Sequence, residues 1–278
     1  MEQLRTVFFI GILTALLIAV GALIGGQSGM WMALGFAILI NGFSYFFSDK
    51  IVLAMYGAKP LTENSAEGAR VYPIVRRITP LMKIPMPTLF FVEEHSPNAF
   101  ATGRNPKHAA VVFTRGILGL LNDHELEGVI AHELSHVKNR DILVASLAAV
   151  IAGAIGMIAH MLMWTGMGGS DREGRNPIGI ILIAISIPII AMLIQLAVSR
   201  SREYLADESA AHTLHSGQGL SSALHKLETG IQKHPFTDAN AGTAHLFIAN
   251  PFSTQGIAGL FATHPPMKDR IARLQKIH

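Results

Sequence analysis

The sequence predicts a mainly α, multi-pass chain with four transmembrane helices and, on one side of the bilayer, a mixed α+β unit built around a small sheet. Three observations predict it. Hydrophobic residues make up 50% of the 278 residues and charged residues only 15%, against about 25% charge in an average globular chain. The missing charge is confined to long uninterrupted stretches, and the basic residues fall almost entirely on one side of them. A mean hydropathy of +0.39 leaves more apolar side chain than one soluble core needs, and it excludes intrinsic disorder, which requires the opposite composition. The chain has no cysteine, which excludes a disulfide scaffold, a thiol nucleophile and thiolate-held zinc or iron–sulfur clusters. The formal charge is +3, yet no run of about five or six like charges suggests a nucleic-acid tail, so nucleic acid is not an expected partner.

The N-terminal part carries no Asp, Glu, Lys or Arg over residues 7–48, and Gly25-Gly26-Gln27-Ser28-Gly29 divides that stretch in two. Each half approaches the ~20 apolar residues that span a bilayer, so spans are expected near 7–25 and 30–47. A cleaved signal peptide fits less well, because the first apolar run exceeds the usual core of about 7–15 residues and a second span follows at once. Two further uncharged stretches, 142–170 and 176–199, flank the polar turn 171–177. They predict spans near 143–164 and 178–198, the last kinked at Pro188, with a buried hairpin in a large soluble core as the alternative. Of the 22 Lys and Arg, 20 lie outside the two short connecting loops. The positive-inside rule therefore puts both termini and the polar mass in the cytoplasm of a cell whose inner membrane holds the chain. The expected organisation is two transmembrane helices over 1–48, a cytosolic segment over 49–141, a transmembrane hairpin over 142–199 and a cytosolic C-terminal segment over 200–278.

Within the first polar segment, Val71, Ile74, Val75, Ile78, Leu81 and Met82 fall on one helical face before Pro85 and Pro87 end it. Residues 88–92 and 109–114 read as short strands, with Asn98-Ala99-Phe100-Ala101-Thr102 between them, and a small sheet follows. Asn122 with Glu125 three residues later makes a capped helix start, and Leu126, Val129, Ile130, Leu134 and Val137 give that helix one apolar face through about Asn139. The C-terminal segment reads as mostly helical, with a Gly/Pro/Asn-rich loop over 235–251.

That capped helix contains His132-Glu133-Leu134-Ser135-His136. Two histidines four apart project from one helix face and can reach a single zinc ion, while Glu133 stands beside them to handle water. A catalytic zinc takes a third protein ligand and keeps one position open. The metzincin pattern is excluded, since Asn139 and Ile142 stand where its glycine and third histidine would be. Asp141, five positions after His136, is expected to turn away from the histidine face. Glu203 is the stronger candidate, and Asp207 four residues on could accept the second ring N–H of a ligand histidine, His132 in the first instance. The alternative is that both acids simply pair with Arg200 and Arg202. His132 and Glu203 are separated by two proposed spans, and two crossings return the chain to the side it left, so a shared site is allowed.

These residues together resemble the HtpX-type zinc metalloproteases of the membrane, gluzincins in the wider group that includes the CAAX prenyl endopeptidases. The resemblance runs through two N-terminal spans, Asn98-Ala99-Phe100, the His-Glu-Leu-Ser-His motif, a membrane hairpin and Arg202-Glu203-Tyr204-Leu205-Ala206-Asp207. It continues through Ser222-Ala223-Leu224-His225-Lys226-Leu227-Glu228 and Thr263-His264-Pro265-Pro266-Met267-Lys268-Asp269-Arg270-Ile271. It implies a zincin-like α+β metalloprotease domain with one Zn2+ per chain, held by His132, His136 and Glu203, with Glu133 as catalytic base. It further implies that His264 donates to the oxyanion and that Asn98, Ala99 and Phe100 form an edge strand on which an extended peptide docks by backbone bonds. The implied substrates are unfolded or damaged membrane proteins, cut at the cytosolic face. An intramembrane site-2-type protease also carries this motif, but inside an apolar helix. Here Asp123, Glu125, Glu127, Lys138, Arg140 and Asp141 crowd it. A membrane scaffold that keeps zinc only for folding would have no need of Glu133. His160, inside the third expected span, reads as a neutral histidine bonded to a neighbouring helix.

Overall fold

The computed structural model describes residues 2–148, 150, 200–233, 246–248 and 265–277. The body of the third and fourth expected spans lies outside the described residues, as do Pro188, His160 and His264. In chain order the elements are α1 (Glu2–Met55), β1 (Lys59–Pro60), α2 (Ala66–Met82), β2 (Thr88–Val92), β3 (Ala99–Asn105), β4 (His108–Thr114), α3 (Arg115–Leu120) and α4 (Asp123–Asn139). After residues 142–148, which are helical, come α5 (Arg200–Leu214), α6 (Gln218–Lys233) and α7 (Met267–Leu274). Among the described residues the chain is mainly helical with a small mixed sheet, the coarse part of the class read from the sequence.

Helix α1 leaves helical geometry at Gly25 and at Gly26, whose φ of 58° suits a residue without Cβ. The break falls at the predicted small-residue run, but the second half continues past residue 47 to Met55. Among the described residues no single helix is long and apolar enough to cross a membrane; Gly25–Leu39 and Gly42–Met55, bent by 49°, meet that test only together. Trp31, Met32, Phe36, Ile38, Leu39, Phe43 and Phe46 on α1 are all exposed.

The sheet order is β1-β2-β4-β3. Strands β2 and β4 run parallel, while β1 against β2 and β3 against β4 run antiparallel, with Phe100 opposite Val112 and Ala101 opposite Val111. β3 is therefore an edge strand. Side chains alternate between the two faces. Leu89, Ala101, Val111 and Phe113 join the main core with α2 and α4, whereas Phe100 and Val112 join Val52 of α1 and Leu246 in a second cluster. In α2, Val71, Ile74, Val75, Ile78 and Met82 are buried as expected, but Leu81 is 59% exposed. It sits at the edge of the apolar stripe, just before Lys83 turns the chain off at φ 57°.

Helix α4 begins with the predicted capping box: the Asn122 side chain accepts from Glu125 N at 2.9 Å and Glu125 Oε2 accepts from Asn122 N at 2.9 Å. Its apolar face is fully buried. α6 packs so closely on α4 that a Cβ on Gly128 would lie 2.4 Å from Leu220 N. The buried Glu125 also accepts from Ser222 Oγ and Lys226 Nζ of α6, both at 2.7 Å. α4 is thereby fixed by core, sheet and α6, and its remaining face is presented to α5 and α7.

Candidate metal centre

One turn of α4 presents His132 and His136 to one turn of α5, which presents Glu203 and Asp207. The two imidazole Nε2 atoms are 3.2 Å apart. Glu203 Oε2 lies 3.7 Å from His132 Nε2, and Glu203 Oε1 lies 3.5 Å from His136 Nε2. One ligand atom from each of the three residues falls within 4.8 Å of the others. A tetrahedral zinc with bonds of about 2.0–2.2 Å spaces its ligands about 3.3–3.6 Å apart. The histidine–histidine distance and the nearest carboxylate approach to each ring, 3.2–3.7 Å, lie close to that spacing, and a donor set of two imidazoles and one carboxylate is a catalytic zinc set with one position open.

The ring orientation points the same way. His132 Nδ1 lies 3.0 Å from Asp207 Oδ1, and His136 Nδ1 lies 3.1 Å from Asp141 Oδ2. A carboxylate facing Nδ1 keeps the proton there and leaves the Nε2 lone pair for a metal. Two lone pairs converging on a carboxylate repel one another unless a cation or a proton stands between them. Burial opposes charge on His136, but the Asp141 hydrogen bond and the Glu203 and Glu133 carboxylates outweigh it and hold that imidazole up at about 9.

Asp141 is a correction to the sequence reading, which turned it away from the histidines. α4 ends at Asn139, and Arg140 adopts the left-handed conformation with φ 62°. Arg140 N then donates to Val137 O at 3.2 Å and Asp141 N to His136 O at 3.0 Å, the two bonds of a Schellman ending. The reversal carries the Asp141 carboxylate back to His136.

Asp207 stands beside His132, and its charged partner is neither Arg200 nor Arg202. Arg270 of α7 donates to it through Nε at 2.8 Å and Nη2 at 2.7 Å, and this pairing holds the buried Asp207 carboxyl well below the usual range despite desolvation. Arg202 instead lies 3.7 Å from Asp141. No local pattern in the sequence marks Arg270 as functional; its one signal is that it follows His264 in the segment that carries the family resemblance.

Glu133 is buried next to the histidines. Burial, the largest influence, pushes its carboxyl up although His132 and His136 pull it down, with the backbone of Ala101 on β3 among the groups that lower it. Glu133 therefore stands near the edge strand β3. Ala99 and Phe100 are buried on the same strand. Asn98, one residue before β3, uses its amide elsewhere: Oδ1 accepts from Ile248 N at 3.1 Å and Nδ2 donates to Leu246 O at 3.5 Å. It ties residues 246–248 to the start of the edge strand. His264 lies outside the described residues.

Comparison with known proteins agrees with this chemistry. The family model for peptidase family M48 matches residues 65–278. The chain is 47% identical over 282 residues to a protease HtpX homolog of Syntrophobacter fumaroxidans, covering 99% of each chain. It is 49% identical to the protease HtpX homolog of Thermococcus sibiricus, covering 99% of this chain and 95% of that one. The homolog of Pyrococcus furiosus is 48% identical, over 98% of this chain and 95% of that one. Among solved structures, the crystal structure of S. mikatae Ste24p aligns with a TM-score of 0.50 at 17% identity, over 98% of this chain and 65% of that longer chain. That last likeness is one of fold.

Proposed function

The chain belongs to peptidase family M48, and from that premise we propose that it is a zinc-dependent endopeptidase of the membrane that cuts unfolded or damaged membrane proteins at the cytosolic face. The observation that carries the proposal is the convergence of His132 Nε2, His136 Nε2 and the Glu203 carboxylate within 4.8 Å, with Glu133 buried beside them.

His132, His136 and Glu203 hold the ion in this reading, with Asp207 and Asp141 fixing the two rings. Zinc bound by that set supplies Lewis-acid chemistry, polarising the scissile carbonyl and acidifying water. Glu133 takes the proton of the attacking water and hands it to the leaving amine; a carboxyl raised by burial is suited to both steps. The peptide lies extended along the outer edge of β3 at Ala99 and Phe100, held by backbone bonds, and Asn98 keeps residues 246–248 at the end of that strand. Recognition of backbone reads little side-chain identity and suits varied unfolded substrates. His264 donates to the oxyanion.

Membrane attachment through 1–48 and the hairpin 142–199, with 49–141 and 200–278 cytosolic, is supported by the uncharged stretches and by 20 of 22 basic residues on one side. The exposed aromatic and aliphatic side chains of α1 add to it. So do Lys50 over the Phe47 ring and Arg104 over the Phe46 ring, each at 5.3 Å, where the apolar stretch ends and cations would meet headgroups.

The test is zinc content and proteolysis of the full chain in detergent. Glu133→Gln is expected to retain about one zinc and to lose cleavage of an unfolded substrate. Cleavage by the Gln variant at the wild-type rate refutes the mechanism.

A further inference from the structure

Both ligand histidines sit at the end of a buried relay that begins with an arginine. On one side Arg270 grips Asp207 through Nε and Nη2 at 2.8 and 2.7 Å, and Asp207 faces His132 Nδ1 at 3.0 Å. On the other, Arg202 stands 3.7 Å from Asp141 Oδ1, and Asp141 Oδ2 faces His136 Nδ1 at 3.1 Å. The six side chains come from three places in the chain: α4 with its C-terminal turn, the first turns of α5, and α7. The relays differ in strength. The Arg270 fork is bidentate and its residue is 0% exposed, whereas Arg202 makes one long contact to Asp141.

Arg270 does more than pair with one acid. Its Nη1 donates to Ile248 O at 3.2 Å and lies 3.5 Å from Glu203 Oε2, and its Nη2 lies 3.4 Å from His132 Nε2. One planar guanidinium therefore touches an acid that orients a ligand, two of the three candidate ligands, and the segment tied to the edge strand by Asn98. A fully buried arginine is rare unless paired, and a rigid fork is the donor geometry that fixes a carboxylate plane.

We infer that Arg270 is a positioning residue of the metal centre: by locking the Asp207 carboxylate it fixes the tautomer and plane of His132, and the Arg202–Asp141 pair does the same, more weakly, for His136. This rests on the zinc reading above. Partners in this outer position are typically worth about 10–100-fold in metal affinity. Lysine keeps the charge and loses the fork, so it should fall between arginine and glutamine.

The experiment uses full-length chain in detergent, with zinc affinity read by chelator competition and ligand geometry by the visible spectrum of the cobalt-loaded protein. Arg270→Gln is expected to weaken zinc binding about 10–100-fold and to shift the cobalt bands. Arg202→Gln should weaken binding less, and Arg270→Lys should be intermediate. Wild-type affinity and wild-type bands in Arg270→Gln overturn the inference. If the Gln variant does not fold, Arg270→Lys decides: unchanged affinity and bands overturn the inference, and weaker binding with shifted bands upholds it. A wild-type chain that takes up no zinc, or as much zinc with His132→Ala, overturns the metal reading itself and this inference with it.

Discussion

Zinc affinity should fall steeply on acidification through the neutral range, and Asp141→Ala should flatten that fall. In the metal-free chain the Asp141 hydrogen bond, Glu203 and Glu133 hold His136 up at about 9 against burial. A ligand histidine must shed its proton before it binds a metal. With a value of about 9, proton competition weakens binding about 1000-fold at pH 6 and about 10-fold at pH 8, a drop of about 90-fold between them; at the ordinary value of about 6.5 the same interval costs about 4-fold. Asp141→Ala removes the foremost influence raising His136, so its curve should approach the shallower limit. The same substitution frees the His136 ring and lowers intrinsic affinity by about 10-fold or more. With a loss of about 10-fold, wild type and variant should bind about equally at pH 8, and at pH 6 the variant should bind about 20-fold more tightly. The assay is competition with a chelator of known pH behaviour, followed in parallel for both proteins. Parallel curves would refute the reasoning. The stability of the metal-free chain supplies a check of sign. A folded-state value raised above 6.5 contributes stability that is fully present below pH 6.5 and lost as pH rises through about 9, on the order of 3 kcal/mol at most. The metal-free protein should melt lower as the pH climbs through that window.

Two further outcomes test the site and its scaffold. Glu203→Ala should cost far more zinc affinity than Asp141→Ala, because it deletes one of three proposed ligands rather than a ring-orienting acid; equal losses in chelator competition would remove Glu203 from the ligand set. Gly128→Ala should destabilise the fold by about 1–3 kcal/mol in thermal melting despite the roughly 1 kcal/mol helix-propensity gain over glycine. The new Cβ would lie 2.4 Å from Leu220 N and 2.8 Å from Leu220 Cα, backbone atoms that yield only if α6 moves as a whole. A raised melting temperature would show that the two helices are not in that contact.

The parts of the site that were legible in the sequence are those set by local periodicity. His132 and His136 are one helical turn apart, as are Glu203 and Asp207, and the Asn122–Glu125 capping box fixes where the first of those helices starts. A four-residue spacing survives any tertiary arrangement, so the two pairs could be read without knowing how their helices meet. The expected apolar faces of α2 and α4 were legible on the same ground, with Leu81 failing only because it lies at the stripe's margin. Where helices end is different. Arg140 takes a left-handed conformation with φ 62° although glycine is the residue that marks such positions in a sequence, so nothing before Asp141 announced the reversal.

Asp141 and Arg270 were therefore illegible for distinct physical reasons. On an ideal helix, a residue five positions on from His136 is rotated about 140° away from it, so a helix that continued would point Asp141 elsewhere. One left-handed residue cancels that rotation and delivers the carboxylate to within 3.1 Å of the ring. Arg270 reaches its acid across 63 positions of chain, a distance no periodicity encodes. Charge is a signal the sequence does carry: Glu133, Glu203 and Asp207 around one ion already put three buried carboxylates together, more negative charge than two neutral imidazoles and a single divalent cation balance, and Asp141 adds a fourth. Burying unpaired charge is costly enough that such a cluster demands buried cations nearby. Arg270 and Arg202, both buried and each facing one of the outer two acids, are what that demand requires.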